Sequence, residues 1–350
     1  IITFKNKTIL ITGGTGSFGS TVLNKLIKYK FKQIIIFSRD ERKQEDLRLK
    51  INNSKVKFVI GDVRDYSTLE AAMNGVDYVF HAAALKQVPS CEFYPWEAYK
   101  TNIIGTENSI NAAVKNKVKK FILLSTDKAV YPINAMGMTK ALAEKILQAR
   151  SRINLKNKTI LCITRYGNVM GSRASIIPRF YSLAKEKKIL PITDNRMTRF
   201  LMSLDDSVNL VIHALVQGKQ GEIFVQKSPA CKITDLAKAV GENLGLSLKT
   251  KVIGSRHGEK LNETLVSQEE MLRASDQKKI WELAKKFNFK IIEDASHSIG
   301  AKHYGEAVGS CKWSDITIFS FHPVKIITTG EGGAALTKNK NLANKMRMYA

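Results

Sequence analysis

The chain has 350 residues, 44% of them hydrophobic and 25% charged, a balance that suits a folded protein with ample core and excludes disordered or collagen-like classes. The net charge of +25 comes from scattered lysines without an aromatic-interleaved basic stripe, which argues against nucleic acid and leaves anionic small ligands as the expected partners. No apolar run approaches the roughly 20 residues that span a bilayer and no signal-peptide pattern precedes the first strand, so no membrane partner and a cytoplasmic location are expected. Four cysteines (Cys91, Cys162, Cys231, Cys311) lie far apart with no Cys-x-x-Cys, which suggests neither a disulfide framework nor a metal site. The chain begins without methionine and stops at Ala350 within a helical pattern, as a fragment would.

The first predicted strand, Thr8 to Ile11, runs into Thr12-Gly-Gly-Thr-Gly-Ser-Phe-Gly19 and then a helix to about Lys28. Glycines at 13, 16 and 19 allow a tight turn, close backbone approach to a pyrophosphate and close helix–strand packing, with the phosphate on the free amides of the helix start. Gly13, Thr15, Gly16, Ser17, Phe18 and Gly19 are therefore candidate dinucleotide contacts. The second strand, Gln33 to Phe37, ends in Ser38-Arg39-Asp40 with Lys43 close behind. A guanidinium at Arg39 suits a 2′-phosphate, so NADP is favoured, while Asp40 keeps NAD open. The strand Val56 to Ile60 delivers Asp62 and Val63 toward the adenine. Asp77 to Phe80 leads to His81, read as a packing histidine, and to Ala82, Ala83 and Ala84, where a cofactor can lie against backbone.

A helix from Pro95 to about Val114 follows, then the apolar strand Phe121 to Leu124 and the stretch Ser125-Thr-Asp-Lys-Ala-Val-Tyr-Pro-Ile-Asn-Ala-Met-Gly-Met-Thr-Lys140, which enters the helical pattern Ala141 to Arg150. A hydroxyl (Thr126), a carboxylate (Asp127) and two amines (Lys128, Lys140) meet at a strand end, where open parallel sheets place their sites. The repeated strand–helix alternation predicts a doubly wound parallel α/β sheet. After a further strand, Thr159 to Thr164, and Arg165-Tyr-Gly-Asn-Val-Met-Gly-Ser-Arg173, the alternation loosens into a smaller lobe, mainly 166–276. Its loops repeat basic residues that suit a diphosphate.

The glycine turn and the distal lysine resemble extended short-chain dehydrogenase/reductases with a Rossmann sheet that act on nucleotide sugars. Ser125-Thr-Asp-Lys-Ala-Val, Arg165-Tyr-Gly-Asn-Val, Met197-Thr-Arg-Phe-Leu-Met-Ser203 and Arg256-His-Gly-Glu-Lys260 are similar to the capsule and O-antigen type UDP-N-acetylglucosamine 4,6-dehydratase/5-epimerases. The resemblance spans residues 1–276. It implies hydride removal from carbon 4 by NADP⁺, proton removal at carbon 5, loss of the carbon 6 hydroxyl, hydride return to carbon 6 and inversion at carbon 5. It assigns Asp127 as the acid for the leaving hydroxyl and Lys128 as the carbon 5 base, and because retaining relatives carry glutamate at the Lys128 position it implies inversion. It adds Tyr166 to the cofactor contacts. Asn168, Arg173, Arg199 and Arg256 fall on the diphosphate, Glu259 on the ribose or uracil, and Lys86 near the sugar.

Met136 stands where the broad superfamily has a tyrosine, which leaves Thr126 linked to Lys140, or a water, to deprotonate the carbon 4 hydroxyl. A UDP-sugar 4-epimerase and a non-catalytic NADP-binding protein stay open beside the dehydratase, and relatives that assemble as dimers or hexamers imply a homo-oligomer. From about 277 the sequence changes character and resembles the middle of PLP-dependent sugar aminotransferases of the pseudaminic acid route. There the resemblance implies that Lys325 attaches PLP, Asp294 pairs with the ring nitrogen, His297 lies beside the ring and Ser320 meets the phosphate. Only a slice of that fold is present, so a truncated, inactive 277–350 segment is expected, with a bifunctional dehydratase/aminotransferase as the alternative.

Overall fold

The computed structural model describes residues 4–153, 159–172, 175–186, 188–270, 277–303, 305–323 and 325–348. The chain divides into two compact units, Ile1–Ser267 and Gln268–Ala350.

The first unit is built on β1 (Thr8–Thr12), α1 (Ser17–Leu26), β2 (Gln33–Ser38), α2 (Glu41–Ile51), β3 (Val56–Ile60), α3 (Tyr66–Ala72) and β4 (Tyr78–His81). Short helices α4 (Val88–Phe93) and α5 (Pro95–Ala98) then run through a π-helical turn, Tyr99–Ile104, into α6 (Gly105–Lys115). Next come β5 (Lys120–Thr126), a 3₁₀ turn at Asp127–Ala129, α7 (Ala135–Ile153) and β6 (Ile160–Tyr166). The helix expected to start at Ala141 begins six residues earlier. Asn134 Oδ1 accepts the amide of Gly137 at 2.7 Å and caps it.

The stretch after β6 contains β7 (Asn168–Val169), α8 (Ile176–Lys185), β8 (Leu190–Ile192) and β9 (Thr198–Met202), followed by α9 (Leu204–Gln217) and β10 (Ile223–Val225). It closes with β11 (Ala230–Lys232), α10 (Ile233–Leu244) and β12 (Thr250–Val252). Seven strands form one sheet in the order β10-β6-β5-β4-β1-β2-β3, every neighbouring pair parallel. The doubly wound parallel sheet expected from the sequence is therefore the fold.

Successive residues of β1 bury on opposite faces, as the strand period of two requires. Ile9 and Ile11 pack with Val22, Leu23 and Leu26 of α1 and Val208, Val211 and Leu215 of α9. Leu10 packs with Leu69, Ile110, Ala143 and Leu147 of α3, α6 and α7. Thus α9 and β10, inside the range assigned mainly to the smaller lobe, return to the main sheet. The lobe has its own core of Phe180, Ala184, Leu190, Ile192, Met197, Ile233, Ala237 and Val240.

The strand order reverses direction between β1 and β4, and a crevice opens there at the carboxyl ends of the strands. No helix among the described residues is long and apolar enough to cross a membrane.

The second unit holds α11 (Gln277–Phe287), β13 (Ile292–Asp294), β14 (Lys302–His303), β15 (Glu306–Ala307), β16 (Ile316–Ser320), β17 (Gly333–Leu336) and α12 (Lys340–Met348). β13, β16 and β17 pair in that order around β16, and β14 pairs with β15. Ile292, Ile318 and Leu336 on the larger sheet stay 64%, 40% and 40% exposed, an uncovered apolar surface.

Candidate active site

A cavity of about 640 Å³ opens at the crevice. Gly13, Thr15, Gly16, Ser17, Phe18 and Gly19 form its floor, Ser38, Arg39, Asp40 and Lys43 one end, and Ala82, Ala83 and Ala84 a wall. Gly61, Val63, Lys86, Thr126, Lys128, Met136, Lys140, Tyr166 and Asn168 also line it. Gly13 has φ +65°, and a Cβ there would lie 2.8 Å from Ala83 backbone atoms. Turn and wall therefore meet as bare backbone, a cradle into which a pyrophosphate fits and which any side chain would fill.

At the end of β2 the two charges chosen from the sequence do different things. Asp40 caps α2 by accepting the Lys43 amide at 2.9 Å and also pairs with the Lys43 ammonium, and these contacts pull its carboxyl below the usual range. Arg39 is half exposed and lies 3.3 Å from Asp62. Asp62 itself does not line the cavity. Its carboxylate accepts from the Arg64 amide at 2.9 Å and pairs with the Arg64 guanidinium at 2.7 Å, an Asx turn that competes with any adenine contact. Val63, beside it, does face the cavity.

His81 is fully buried, its ring nitrogens 2.9 Å from Thr12 Oγ1 and 3.3 Å from Thr106 Oγ1. Burial drives its pKa down to about 3, so it is a neutral packing bridge between β1 and α6. Tyr166 donates its hydroxyl to the Ser207 carbonyl at 3.0 Å and presents its ring to the cavity.

The chemistry-bearing groups converge at the end of β5. Asp127 is wholly buried, and its Oδ1 accepts from Thr126 Oγ1 at 2.8 Å and from Lys128 Nζ at 3.1 Å. Thr126 and Lys128 reach the cavity directly, whereas Asp127 reaches it through the Thr126 hydroxyl. Asp127 Oδ2 has no hydrogen-bond partner among the described residues.

Lys140 lies inside α7 and donates to the Leu124 carbonyl. Burial lowers its pKa to about 8, partly opposed by Glu144 one turn further on. Met136 is buried with Cys91 and Ala98, its side chain at the cavity wall, and offers no proton. A Cβ on Gly137 would collide with the Lys128 carbonyl, so a glycine lets α7 press against the turn.

Two charge clusters under the site are built on glutamates, Glu144 and Glu263, that carry no motif signal of their own. Glu144 and Arg165 form a fully buried pair at 2.6 Å, extended by Ser125 donating to Glu144 and by Arg165 donating to the Leu265 carbonyl at 2.8 Å. Glu263, also buried, lies 3.4 Å from Lys128 and 3.2 Å from Lys260. Acidic residues at helical or loop positions ordinarily read as solvated, and only the spacing of Glu144 four residues after Lys140 hinted otherwise.

The proposed diphosphate contacts divide. Asn168 lines the cavity. Arg173 lies outside the described residues. Arg199 is buried and donates to the carbonyls of Thr198 at 2.7 Å and Leu261 at 3.1 Å, away from the cavity lining, because its guanidinium satisfies a loop of the lobe. Arg256 is exposed and Glu259 half buried, and neither lines the cavity.

In the second unit Lys325 Nζ and His297 Nε2 are 2.7 Å apart. Asp294 is exposed and accepts from the amide and hydroxyl of Ser296. Ser320, at the end of β16, is half buried. PLP does not fit these residues, because a carboxylate that holds a ring nitrogen protonated must be buried against it, and this one faces solvent.

A family profile described as polysaccharide biosynthesis protein matches residues 9–285, and one described as DegT/DnrJ/EryC1/StrS aminotransferase family matches residues 273–350. Proteins named UDP-glucose 4-epimerase from Rickettsia felis and Rickettsia prowazekii are each 60% identical over 277 residues, covering 78% of this chain and 81% of theirs. Among solved structures, Pen from Bacillus thuringiensis is 39% identical with a TM-score of 0.75, over 77% of this chain and 85% of its own. The dTDP-glucose 4,6-dehydratase DesIV of Streptomyces venezuelae, 22% identical with a TM-score of 0.69 over 76% of this chain and 90% of its own, shares the fold. The chain belongs, over residues 9–285, to the polysaccharide biosynthesis protein family, on an extended short-chain dehydrogenase/reductase fold.

Proposed function

We propose that the chain catalyses NADP-dependent 4,6-dehydration of UDP-N-acetylglucosamine with inversion at carbon 5. The observation that carries this reading is Lys128 at the cavity wall with Met136, its Nζ 3.1 Å from the buried Asp127, which itself reaches the cavity through the Thr126 hydroxyl. A 4-epimerase and a 4,6-dehydratase both need a proton acceptor at the carbon 4 hydroxyl, which the inert methionine at the superfamily's tyrosine position leaves to Thr126 in either case. Only the dehydratase also needs a base for carbon 5 and an acid for the carbon 6 hydroxyl, and Lys128 and Asp127 supply that extra pair.

A nicotinamide dinucleotide in this cavity supplies the hydride acceptor at carbon 4 and the donor at carbon 6. The glycine turn and the Ala82–Ala84 wall would hold its pyrophosphate, and Lys140 would orient its ribose. Arg39 and Lys43 favour a 2′-phosphate, since Asp40 is engaged as a helix cap. Thr126 accepts the carbon 4 hydroxyl proton as it passes its own to Asp127, with the Lys140 ammonium close by. Lys128, as the free amine, removes the carbon 5 proton, made acidic by the carbon 4 ketone. Asp127 then returns its proton through the Thr126 hydroxyl to the departing carbon 6 hydroxyl, and carbon 5 takes its new proton from the opposite face.

The 4-epimerase reading stands second, favoured by the name carried by the Rickettsia relatives. Proton NMR of products formed from UDP-N-acetylglucosamine in deuterated water separates them. Dehydration gives a carbon 6 methyl with deuterium at carbon 5, and epimerisation gives an intact hydroxymethyl with no deuterium.

A further inference from the structure

The segment from His257 to Leu265 crosses the acid–base turn and is fastened to it at several points. Asn134 Nδ2 donates to the Gly258 carbonyl at 2.7 Å, and Lys260 Nζ donates to the Val130 carbonyl at 2.7 Å. Arg165 donates to the Leu265 carbonyl at 2.8 Å, and His257 lies 3.1 Å from Glu92 of α4. Within this strap Glu263 is buried, one carboxylate oxygen 3.4 Å from Lys128 and the other 3.2 Å from Lys260.

Lys128 Nζ thus lies between Asp127, its neighbour in the chain, and Glu263, near the far end of the first unit. Lys260 already pairs with Glu263, and Asp127 already accepts from Lys128. The added Glu263–Lys128 contact is therefore not needed to give either group a partner. It gives the Nζ of a flexible four-carbon side chain a second anchor beside Asp127 Oδ1, and reacting groups misplaced by an ångström lose large factors in rate.

We propose that Glu263 is the positioning residue for Lys128. It fixes the amine against the carbon 5 face of the sugar and, through Lys260 and the strap, ties that placement to the sugar-nucleotide lobe. This rests on the reading that Lys128 works at carbon 5.

The test compares the full chain with its Glu263→Gln, Glu263→Asp and Glu263→Met/Lys260→Met variants. The double variant removes both charges while keeping volume, so it guards against a mere folding failure. For Glu263→Gln and the double variant, kcat falls about 10- to 100-fold with KM and NADP affinity within about twofold, and Glu263→Asp recovers part of the loss. Because hydride leaves carbon 4 before carbon 5 is deprotonated, single-turnover absorbance shows reduced cofactor building up, with carbon 5 deuteration lagging behind it.

Wild-type dehydration with unimpaired Glu263→Gln and double variants overturns the role of Glu263 alone. So do losses shared equally by KM, cofactor affinity and kcat without accumulation of reduced cofactor. A wild-type chain that yields the 4-epimer without deuterium overturns the dehydratase reading, and the role of Glu263 with it.

Discussion

Asp127 combines complete burial with one oxygen, Oδ2, that has no partner among the described residues. A buried carboxylate oxygen left bare is costly, and a proton or an incoming sugar hydroxyl relieves that cost. Asp127→Asn keeps the shape and removes the transferable proton. The expected result is a loss of dehydration of about 10²- to 10⁴-fold with NADP affinity retained, read by product NMR and by cofactor titration.

Lys140 gives a pH dependence of defined sign. Its folded pKa of about 8 lies below the unperturbed value for lysine, so it sheds its proton and its charge as pH rises through about 8. Cofactor affinity measured calorimetrically should fall over that range, and Lys140→Met should flatten the profile at the low-affinity level. The same shift means that folding stability rises between about pH 8 and the unfolded lysine pKa, because over that window the unfolded chain binds the extra proton. At the other end of the cavity, Arg39→Ala should weaken NADP binding about tenfold or more and leave NAD binding nearly unchanged, by the same titration.

At the scale of elements, α7 is the beam that holds the site. Its cap Asn134, its close approach at Gly137, its buried Lys140 and its Glu144 lie on successive turns. Glu144→Gln would leave Arg165 charged and buried without its counter-ion. About 3–5 kcal/mol of stability should be lost, read as a lower urea midpoint at unchanged slope.

Much of this scale was legible in the sequence, because β-branched runs bounded by glycine turns and followed by amphipathic patterns have few other solutions. Thr126, Asp127, Lys128 and Lys140 were legible because one strand end and one helix carry them all. Glu263 was not, since its partner Lys128 is distant in sequence and no periodicity links them. Asp62 and Arg199 misled for a shared reason. Asp62 follows β3 and Arg199 lies in β9, and each charged side chain is already satisfied, by Arg64 and by the Thr198 and Leu261 carbonyls. A π-helical turn at Tyr99–Ile104 went unseen because its residues fit an ordinary helix, yet it carries Asn102, whose amide bonds Leu85 and Thr139 under the cavity.

For the whole molecule, the two units differ in how completely they are built. The first has cores on both faces of a seven-stranded sheet and a third in its lobe. The second has a three-stranded sheet with exposed isoleucines and a leucine, and a helix, α12, with no buried residue. Units with few buried apolar contacts open first. Limited proteolysis followed by mass spectrometry should therefore remove material beyond about residue 267 early and leave a resistant core that retains the cavity. Simultaneous digestion of both units would contradict that order.

The central claim is that this cavity removes water from a UDP-sugar and inverts carbon 5. Its most direct test is proton NMR of the full chain with UDP-N-acetylglucosamine and NADP in deuterated water. The account predicts a new carbon 6 methyl signal and deuterium at an inverted carbon 5. An intact carbon 6 hydroxymethyl with inversion confined to carbon 4 would contradict it.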